Sequence, residues 1–154
     1  MDDLIRDYHL VLNEREQLPC TYDGLRRARS LSRVRLRPLW ADSLVDDAEL
    51  CVDEAFCNAR RHTRSGLPGG TVTLALYATA DGPLYIDLGD AGPIRPGDRP
   101  RVRAAAPDTD VESGRGMFLV DSLAAHWLYV ARADGGCLSL TLLTPDRAPV
   151  AVRG

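Results

Sequence analysis

Residues 53–62 read Asp-Glu-Ala-Phe-Cys-Asn-Ala-Arg-Arg-His, and this stretch is the starting point for interpreting the chain. Glu54, Asn58 and His62 are four residues apart, which places them in one row on a single face of a helix. A carboxylate and an amide carbonyl in such a row could hold a magnesium ion and orient or deprotonate an attacking hydroxyl. Taken alone, the row is more typical of a solvated helix face.

The helix that carries this row is predicted to begin at Asp42 or Ser43, either of which could cap its first turn, and to end at His62. The side chains at helical spacing on its other side predict the face that packs into the core. These residues are Leu44, Ala48, Val52, Ala55, Phe56 and Ala59.

An earlier helix is predicted from near Gly24 to Pro38, with Thr21 or Asp23 as its cap. One of its faces is rich in arginine, and we interpret that face either as simply solvated or as a patch for an acidic protein partner. The arginines are Arg26, Arg27, Arg29, Arg33 and Arg37.

Alternating apolar and polar residues predict two antiparallel hairpins after these helices. A short alternation within residues 1–18 predicts an edge strand or an extra arm, and a third helix precedes the closing hairpin. The hairpin strands are predicted at 71–78 and 84–88, and at 127–131 and 137–143, with the second pair joined through 134–136. This order predicts an α/β two-layer sandwich, in which a mixed, mostly antiparallel sheet has helices packed on one face.

The chain has 154 residues, which fits one domain, and its 19 basic residues are all arginine. A net charge of -3 and a pI of about 5.6 argue against a dedicated duplex-DNA binder. Because lysine is absent, a nucleotide site of the P-loop type is excluded. The acidic start has no signal-peptide core, the longest apolar stretch is too short and polar to span a bilayer, and no C-x-x-C pair is present. We therefore expect a cytoplasmic protein with reduced cysteines, which binds neither nucleic acid nor membrane.

Two further motifs could bind parts of a nucleotide. Asp90 ends a predicted strand and is followed by Ala91 and Gly92, so its carboxylate could accept the exocyclic amine of adenine, or could simply belong to a turn. Gly114, Arg115 and Gly116 lead into the third helix, where free amides could bind an anion or could simply cap the helix. The 92–113 segment between them lacks periodicity, which is typical of a lid or a disordered insertion.

Together, these three motifs resemble those of the ATP-binding domain shared by gyrase, mismatch-repair and histidine kinase ATPases. Within that family the chain resembles the anti-sigma-factor serine kinases of Gram-positive bacteria. The likeness lies in the 53–62 helix, the strand from Leu84 to Gly92 and the helix start from Ser113, and it extends from about Leu25 to Leu143.

The resemblance implies a role for each motif residue. Glu54 would be the general base for a protein serine hydroxyl, and Asn58 a ligand of the magnesium carried by ATP. Asp90 would recognise adenine, and Gly92 would shape the base pocket. The resemblance also places Gly114, Arg115 and Gly116 against the phosphates.

The remaining implications concern the lid, the partners and the limits of the domain. The lid at about 92–113 would bring Arg95, Arg99, Arg101 and Arg103 toward the phosphates. The partners would be a sigma factor and a small antagonist protein, with a homodimer expected through the arginine face. The chain divides into an arm or edge strand at 1–17, a histidine kinase-like ATP-binding domain at 18–145 and a tail at 146–154. A module that binds ATP, or has lost it, and acts by contact alone is the alternative to a kinase.

The sequence also departs from the family pattern at two places. Pro93 and Ile94 follow Gly92 where many relatives have a second glycine, which predicts an altered lid hinge. The last strand of relatives carries a threonine that helps to hold the adenine-binding aspartate, and this chain has Cys137 there. Ser139 or Thr141 is the expected substitute.

Overall fold

The computed structural model describes residues 10–100 and 115–144. Within these ranges the chain forms five strands, three α-helices and a short 3-10 helix at Arg64–Gly66. The strands are β1 (Leu10–Pro19), β2 (Thr71–Thr79), β3 (Leu84–Asp90), β4 (His126–Arg132) and β5 (Gly135–Leu142). The helices are α1 (Tyr22–Leu36), α2 (Asp42–His62) and α3 (Arg115–Leu123).

The five strands form one sheet in the order β1-β2-β3-β5-β4. Each described pairing is antiparallel, so the predicted mostly antiparallel sheet is confirmed. Alternate residues of the three central strands are buried, among them Leu74, Ile86 and Leu140. Because side chains alternate across a strand, this pattern gives the sheet one inner face, which the helices cover.

Helix α2 lies at the centre of the helical layer and contributes a large part of the core. Phe56 is 1% exposed, and the helix also buries Val45, Ala48, Cys51, Val52, Ala55 and Ala59. Leu44, predicted to be in the core, is only partly buried, and Val45 takes the buried position. The two-layer α/β sandwich predicted from the sequence is therefore confirmed, with this one local shift.

The predicted helix caps have different outcomes. Thr21 is the N-cap of α1, and its hydroxyl accepts a hydrogen bond from the Gly24 amide at 3.2 Å. The predicted cap of α2 was wrong, because Ala41 occupies that position and makes no side-chain cap bond. Asp42 instead lies in the first turn, where its charge favours the helix through the helix dipole.

Removal of the Thr21 cap gives a measurable stability test. We expect Thr21→Ala to lower the free energy of unfolding by about 1 kcal/mol, because the Gly24 amide loses its acceptor. Ser43→Ala is the matched control, since Ser43 is exposed and does not cap α2. Urea denaturation of the two variants measures the difference, and equal losses would contradict the assignment of the cap.

The arginine face of α1 is largely engaged in ion pairs within the chain. The pairs are Arg26–Asp23, Arg27–Glu16, Arg29–Asp53, Arg33–Asp46, Arg33–Glu49 and Arg35–Glu14. The acidic partners belong to β1, α1 and α2, and the paired arginine side chains stay 36–72% exposed, so the face is solvated as well as linked to its neighbours. Its predicted roles as an acidic-partner patch and a dimer surface stay predictions.

Two further expectations concern the ends of the chain and membranes. β1 pairs with β2 along Leu10–Pro19 and forms one edge of the sheet. The domain limits at 18–145 stay a prediction, because residues 1–9 and 145–154 lie outside the described residues. Among the described helices, none is long and apolar enough to cross a membrane.

Candidate active site

The C-terminal half of α2 presents the predicted row of polar side chains. Glu54 and Asn58 are both half-buried, one turn apart on the same face. Burial, and then the neighbouring Asp53 carboxylate, raise the pKa of Glu54 above the ordinary carboxyl range, while Arg61 opposes the rise. A carboxylate with a raised pKa is a stronger base, which suits proton abstraction near neutral pH.

A cavity of about 580 Å³ opens beside this face of α2. Its walls come from three places in the chain. The wall residues from helix α2 are Asn58, Arg61 and His62, those from the loop after β3 include Pro93, Ile94, Arg95 and Arg99, and Tyr129 comes from β4. The volume lies within the usual range for small-molecule sites. Glu54 is not among the described residues that line the cavity.

The charge of the cavity favours an anionic ligand. Arg61, Arg95 and Arg99 line it, and Asp98 is the one acidic residue among its described walls. Guanidinium groups bind phosphate through paired N–H donors, so this wall suits a phosphate chain. Arg101 and Arg103, also predicted to approach the phosphates, lie outside the described residues.

Asp90 is the last residue of β3, as predicted, and both of its hydrogen bonds from described residues go to the same oxygen. Oδ1 accepts from the Gly92 amide at 2.7 Å and from the Tyr129 hydroxyl at 3.1 Å. Burial raises the pKa of Asp90, and these two bonds act against the rise by favouring the ionised form. Neither of these two bonds involves Oδ2, so the second oxygen can accept a bond from a ligand.

The bond from Gly92 is the one expected for a turn aspartate. The turn interpretation of Asp90 is therefore correct, but it does not exclude the adenine interpretation, because the turn occupies only Oδ1. Gly92 has a φ of +93°, a conformation that glycine adopts without strain. The predicted positions of both residues at the strand end are thus observed, and their ligand roles stay predictions.

The loop after β3 is held against the end of α2 by backbone bonds. Arg64 donates its amide to the Gly92 carbonyl at 2.8 Å, and Ile94 donates to the His62 carbonyl at 3.1 Å. The Ala91 amide donates to Ser65 Oγ at 2.8 Å. Ser65 is fully buried, and no sequence motif pointed to its role. The loop up to Ile94 is therefore anchored to the end of α2.

The predicted glycine motif at the third helix is only partly described. Arg115 and Gly116 are the first two residues of α3, as expected for an anion site at a helix start. Gly114 lies outside the described residues, and the side chain of Arg115 is not described. The contact of this motif with phosphates stays a prediction.

The expected substitute for the family threonine was wrong. Cys137 pairs with Gly89, and its Sγ lies 3.8 Å from Ser139 Oγ, on the sheet face that the helices do not cover. Gly136 is the register partner of Asp90, and the hydroxyl that reaches the carboxylate comes from Tyr129. The alternation of β4 could have shown that Tyr129 shares the inner face with Trp127.

The described residues contain no cluster of three or more His, Cys, Asp or Glu side chains that could hold a metal ion. A magnesium ion at this site would therefore depend on the Asn58 carbonyl and on ligand phosphates. That arrangement is ordinary for Mg²⁺, which commonly uses one or two protein oxygens together with substrate phosphates. The Asn58 carbonyl and the arginines fit a phosphate chain with magnesium, whereas Asp90 and Gly92, like Glu54, are not among the described residues that line the cavity.

Comparisons with known proteins give the following matches. A family model described as the histidine kinase-like ATPase domain matches residues 18–142. The RsbU and RsbW domains of Rv1364c from Mycobacterium tuberculosis are similar with a TM-score of 0.65 and 17% identity, over 90% of this chain and 34% of that chain. The SiaB-SiaC complex from Pseudomonas aeruginosa gives a TM-score of 0.60 and 15% identity, over 93% and 94% of the two chains. No curated protein matches. At these identities the structural likeness shows the fold.

Proposed function

The chain belongs to the histidine kinase-like ATPase domain family, and from this premise we propose that it is an ATP-dependent protein serine kinase and anti-sigma factor. It binds ATP with Mg²⁺, transfers the γ-phosphate to a serine of a small antagonist protein, and binds a sigma factor. The observation that carries the proposal is the shared cavity, in which Asn58, the arginine wall and Tyr129, the partner of Asp90, face one space.

Asp90 and Gly92 bind the base. The carboxylate accepts the exocyclic amine of adenine through Oδ2, while Oδ1 is occupied by its two donors. Guanine and hypoxanthine carry a carbonyl oxygen at position 6 instead of an amine. Two hydrogen-bond acceptors would then face each other, with no proton to share. The arrangement therefore selects adenine over guanine or hypoxanthine.

Asn58 and the arginines organise the phosphates. The Asn58 carbonyl would hold a magnesium ion, which would supply positive charge to neutralise the phosphates. Arg95 and Arg99 also line the cavity and bind phosphate oxygens. The amides at the start of α3, next to Arg115 and Gly116, add donors to the same anionic groups.

Glu54 acts as the general base. It accepts the proton of the serine hydroxyl as the oxygen attacks the γ-phosphorus and the bond to the bridging oxygen breaks. Its raised pKa supports this role, because partial burial makes the carboxylate a better proton acceptor. Most of the rate enhancement in such a transfer comes from positioning and charge neutralisation.

A protein partner is supported by the fold. One structural relative was solved as the SiaB-SiaC complex, so a domain of this shape can associate with a second protein. The sigma factor and the antagonist are proposed, like the kinase activity, from the resemblance to the anti-sigma-factor serine kinases. A homodimer is also proposed, and a sigma-factor partner would place the protein in the cytoplasm.

A regulatory module without catalysis is the second candidate function. It is favoured by the position of Glu54, which is not among the described residues that line the cavity. In that case the protein would bind ATP and control its partner by contact alone. The two functions differ in whether phosphate leaves the nucleotide.

Incubation with γ-labelled ATP, Mg²⁺ and the small antagonist domains encoded in the same genome tests the proposal. We expect the label on a serine of one antagonist. Nucleotide binding without labelling of any antagonist would support the regulatory module, and the absence of nucleotide binding would overturn both functions.

A further inference from the structure

Tyr129 lies beside Asp90, and the function proposed above gives its side chain no chemical role. We propose that Tyr129 is the positioning residue that orients Asp90 toward the purine, and that Gly136 leaves the space that Tyr129 needs. This inference rests on the proposed adenine site and describes how this chain builds it.

Tyr129 reaches Asp90 across an intervening strand. It belongs to β4, at the sheet edge, whereas Asp90 belongs to β3, and β5 lies between them. Two strand spacings amount to about 9.5 Å, which only a long side chain can bridge. The tyrosine is 9% exposed and its hydroxyl lies 3.1 Å from Asp90 Oδ1.

Gly136 on β5 makes this crossing possible. A Cβ atom at this position would overlap the Tyr129 hydroxyl and would lie 2.5 Å from Cζ of its ring. The same Cβ would lie 3.0 Å from Asp90 Oδ1. A side chain at position 136 and the observed position of Tyr129 therefore exclude one another, and either one could place a hydroxyl beside the carboxylate.

The two hydrogen bonds to Asp90 determine which of its carboxylate oxygens faces the ligand. With the Gly92 amide and the Tyr129 hydroxyl both bound to Oδ1, the carboxylate is fixed in rotation and Oδ2 is left for the ligand. Tyr129 also lines the cavity, so its ring forms part of the wall against which the base lies. A single residue thus shapes the cavity wall and orients the carboxylate.

The first test measures Mg-ATP affinity by calorimetry. We expect Tyr129→Phe to weaken binding about tenfold, the usual effect of losing one hydrogen bond to a charged group. The matched control is Tyr85→Phe, since Tyr85 lies on β3 but stacks on Tyr77 on the other face of the sheet. The control should bind as wild type does.

The second test is the pH profile of the same affinity, which a merely structural role would not change. Asp90 must be ionised to accept the amine, and its bond from Tyr129 lowers its pKa. Without that bond the pKa rises, so Tyr129→Phe should lose affinity at a higher pH than wild type as the solution is acidified. The other groups near Asp90 are the Cys20 and Cys137 thiols and, beside Gly92, the Arg64 guanidinium.

The third test is rescue. We expect Gly136→Thr to weaken binding because the new side chain displaces Tyr129, and Tyr129→Leu to weaken it because the hydroxyl is lost. The double variant Tyr129→Leu/Gly136→Thr should bind more tightly than either single variant, because the threonine hydroxyl replaces the missing donor. This comparison remains informative even if one single variant is poorly folded.

Failure of this inference can be distinguished from failure of the proposed function. Unchanged affinity and pH profile in Tyr129→Phe, with Asp90→Asn still weakened, would overturn the role of Tyr129 and leave the adenine site intact. Additive losses in the double variant would also contradict the role of Tyr129. No binding of Mg-ATP by wild type would overturn both.

Discussion

Asp90→Asn will bind Mg-ATP about 100-fold more weakly than wild type, a larger loss than removal of one neutral hydrogen bond produces. Two donors, the Gly92 amide and the Tyr129 hydroxyl, point at the position of Oδ1. The asparagine carbonyl will therefore take that position, which places its NH₂ group where Oδ2 is proposed to accept the adenine amine. A donor then faces a donor, and calorimetric titration measures the loss.

The control for this variant is Asp87→Asn, on the same strand and with the same change of charge. Asp87 accepts a hydrogen bond from Tyr77 at 3.1 Å, and its register partner is Ser139. Asp87 lies on the opposite face of the sheet from Asp90, so the Asp87→Asn variant should bind Mg-ATP with the same affinity as wild type. Equal losses in the two variants would show a general effect of charge, and would contradict the adenine role of Asp90.

Glu54→Gln is expected to lower the rate of phosphate transfer to an antagonist about 1,000-fold, the middle of the range for loss of a general base. Glutamine has nearly the same shape but cannot accept the serine proton. The affinity for Mg-ATP should stay within about twofold of wild type, because Glu54 is proposed to contact the serine hydroxyl rather than the nucleotide. Single-turnover kinetics with labelled ATP measures the rate.

Glu49→Gln is the control for the catalytic prediction. Glu49 lies on the same helix and pairs with Arg33 on its far side. A partly exposed ion pair contributes little to stability, so this variant should fold and transfer phosphate as wild type does. Transfer by Glu54→Gln at the wild-type rate would remove the carboxylate from the mechanism, and the regulatory module would then be the better account.

The order of the helices and strands follows from short-range patterns, which is why most of the fold could be predicted from the sequence. Alternation in β2 and β3 and helical spacing in α2 both reflect burial on one face. The cap of α2 was mispredicted because Asp42 and Ser43 are both residue types that commonly cap helices. The extended backbone of Ala41 makes that residue the N-cap, and residue type does not reveal this. The ion pairs of α1 depend on neighbours far away in sequence.

The candidate site was predictable where it is local and not where it depends on register. Glu54, Asn58, Asp90 and Gly92 each lie within a recognisable motif. The contact between Tyr129 and Asp90 requires that β5 lie between β3 and β4 and that Gly136 stand opposite Asp90. A one-residue shift would place Cys137 there instead, and the sequence alone does not specify that register.

The residues around Asp90 also show why the departures from the family pattern need not weaken the site. Pro93 and Ile94 follow Gly92, and they are anchored to the end of α2 by the Thr63–Pro93 bridge and by the bond from Ile94 to His62. Local contacts therefore hold the backbone on both sides of Gly92.

Titration of the wild-type protein with Mg-ATP and with Mg-ITP tests the central claim most directly. The two nucleotides differ at purine position 6, where ATP carries an amine and ITP a carbonyl, together with the proton on N1. We predict one binding site with ATP bound about 100-fold more tightly, because Asp90 Oδ2 accepts only from the amine. Equal affinities for the two nucleotides, or no binding of either, would contradict the account.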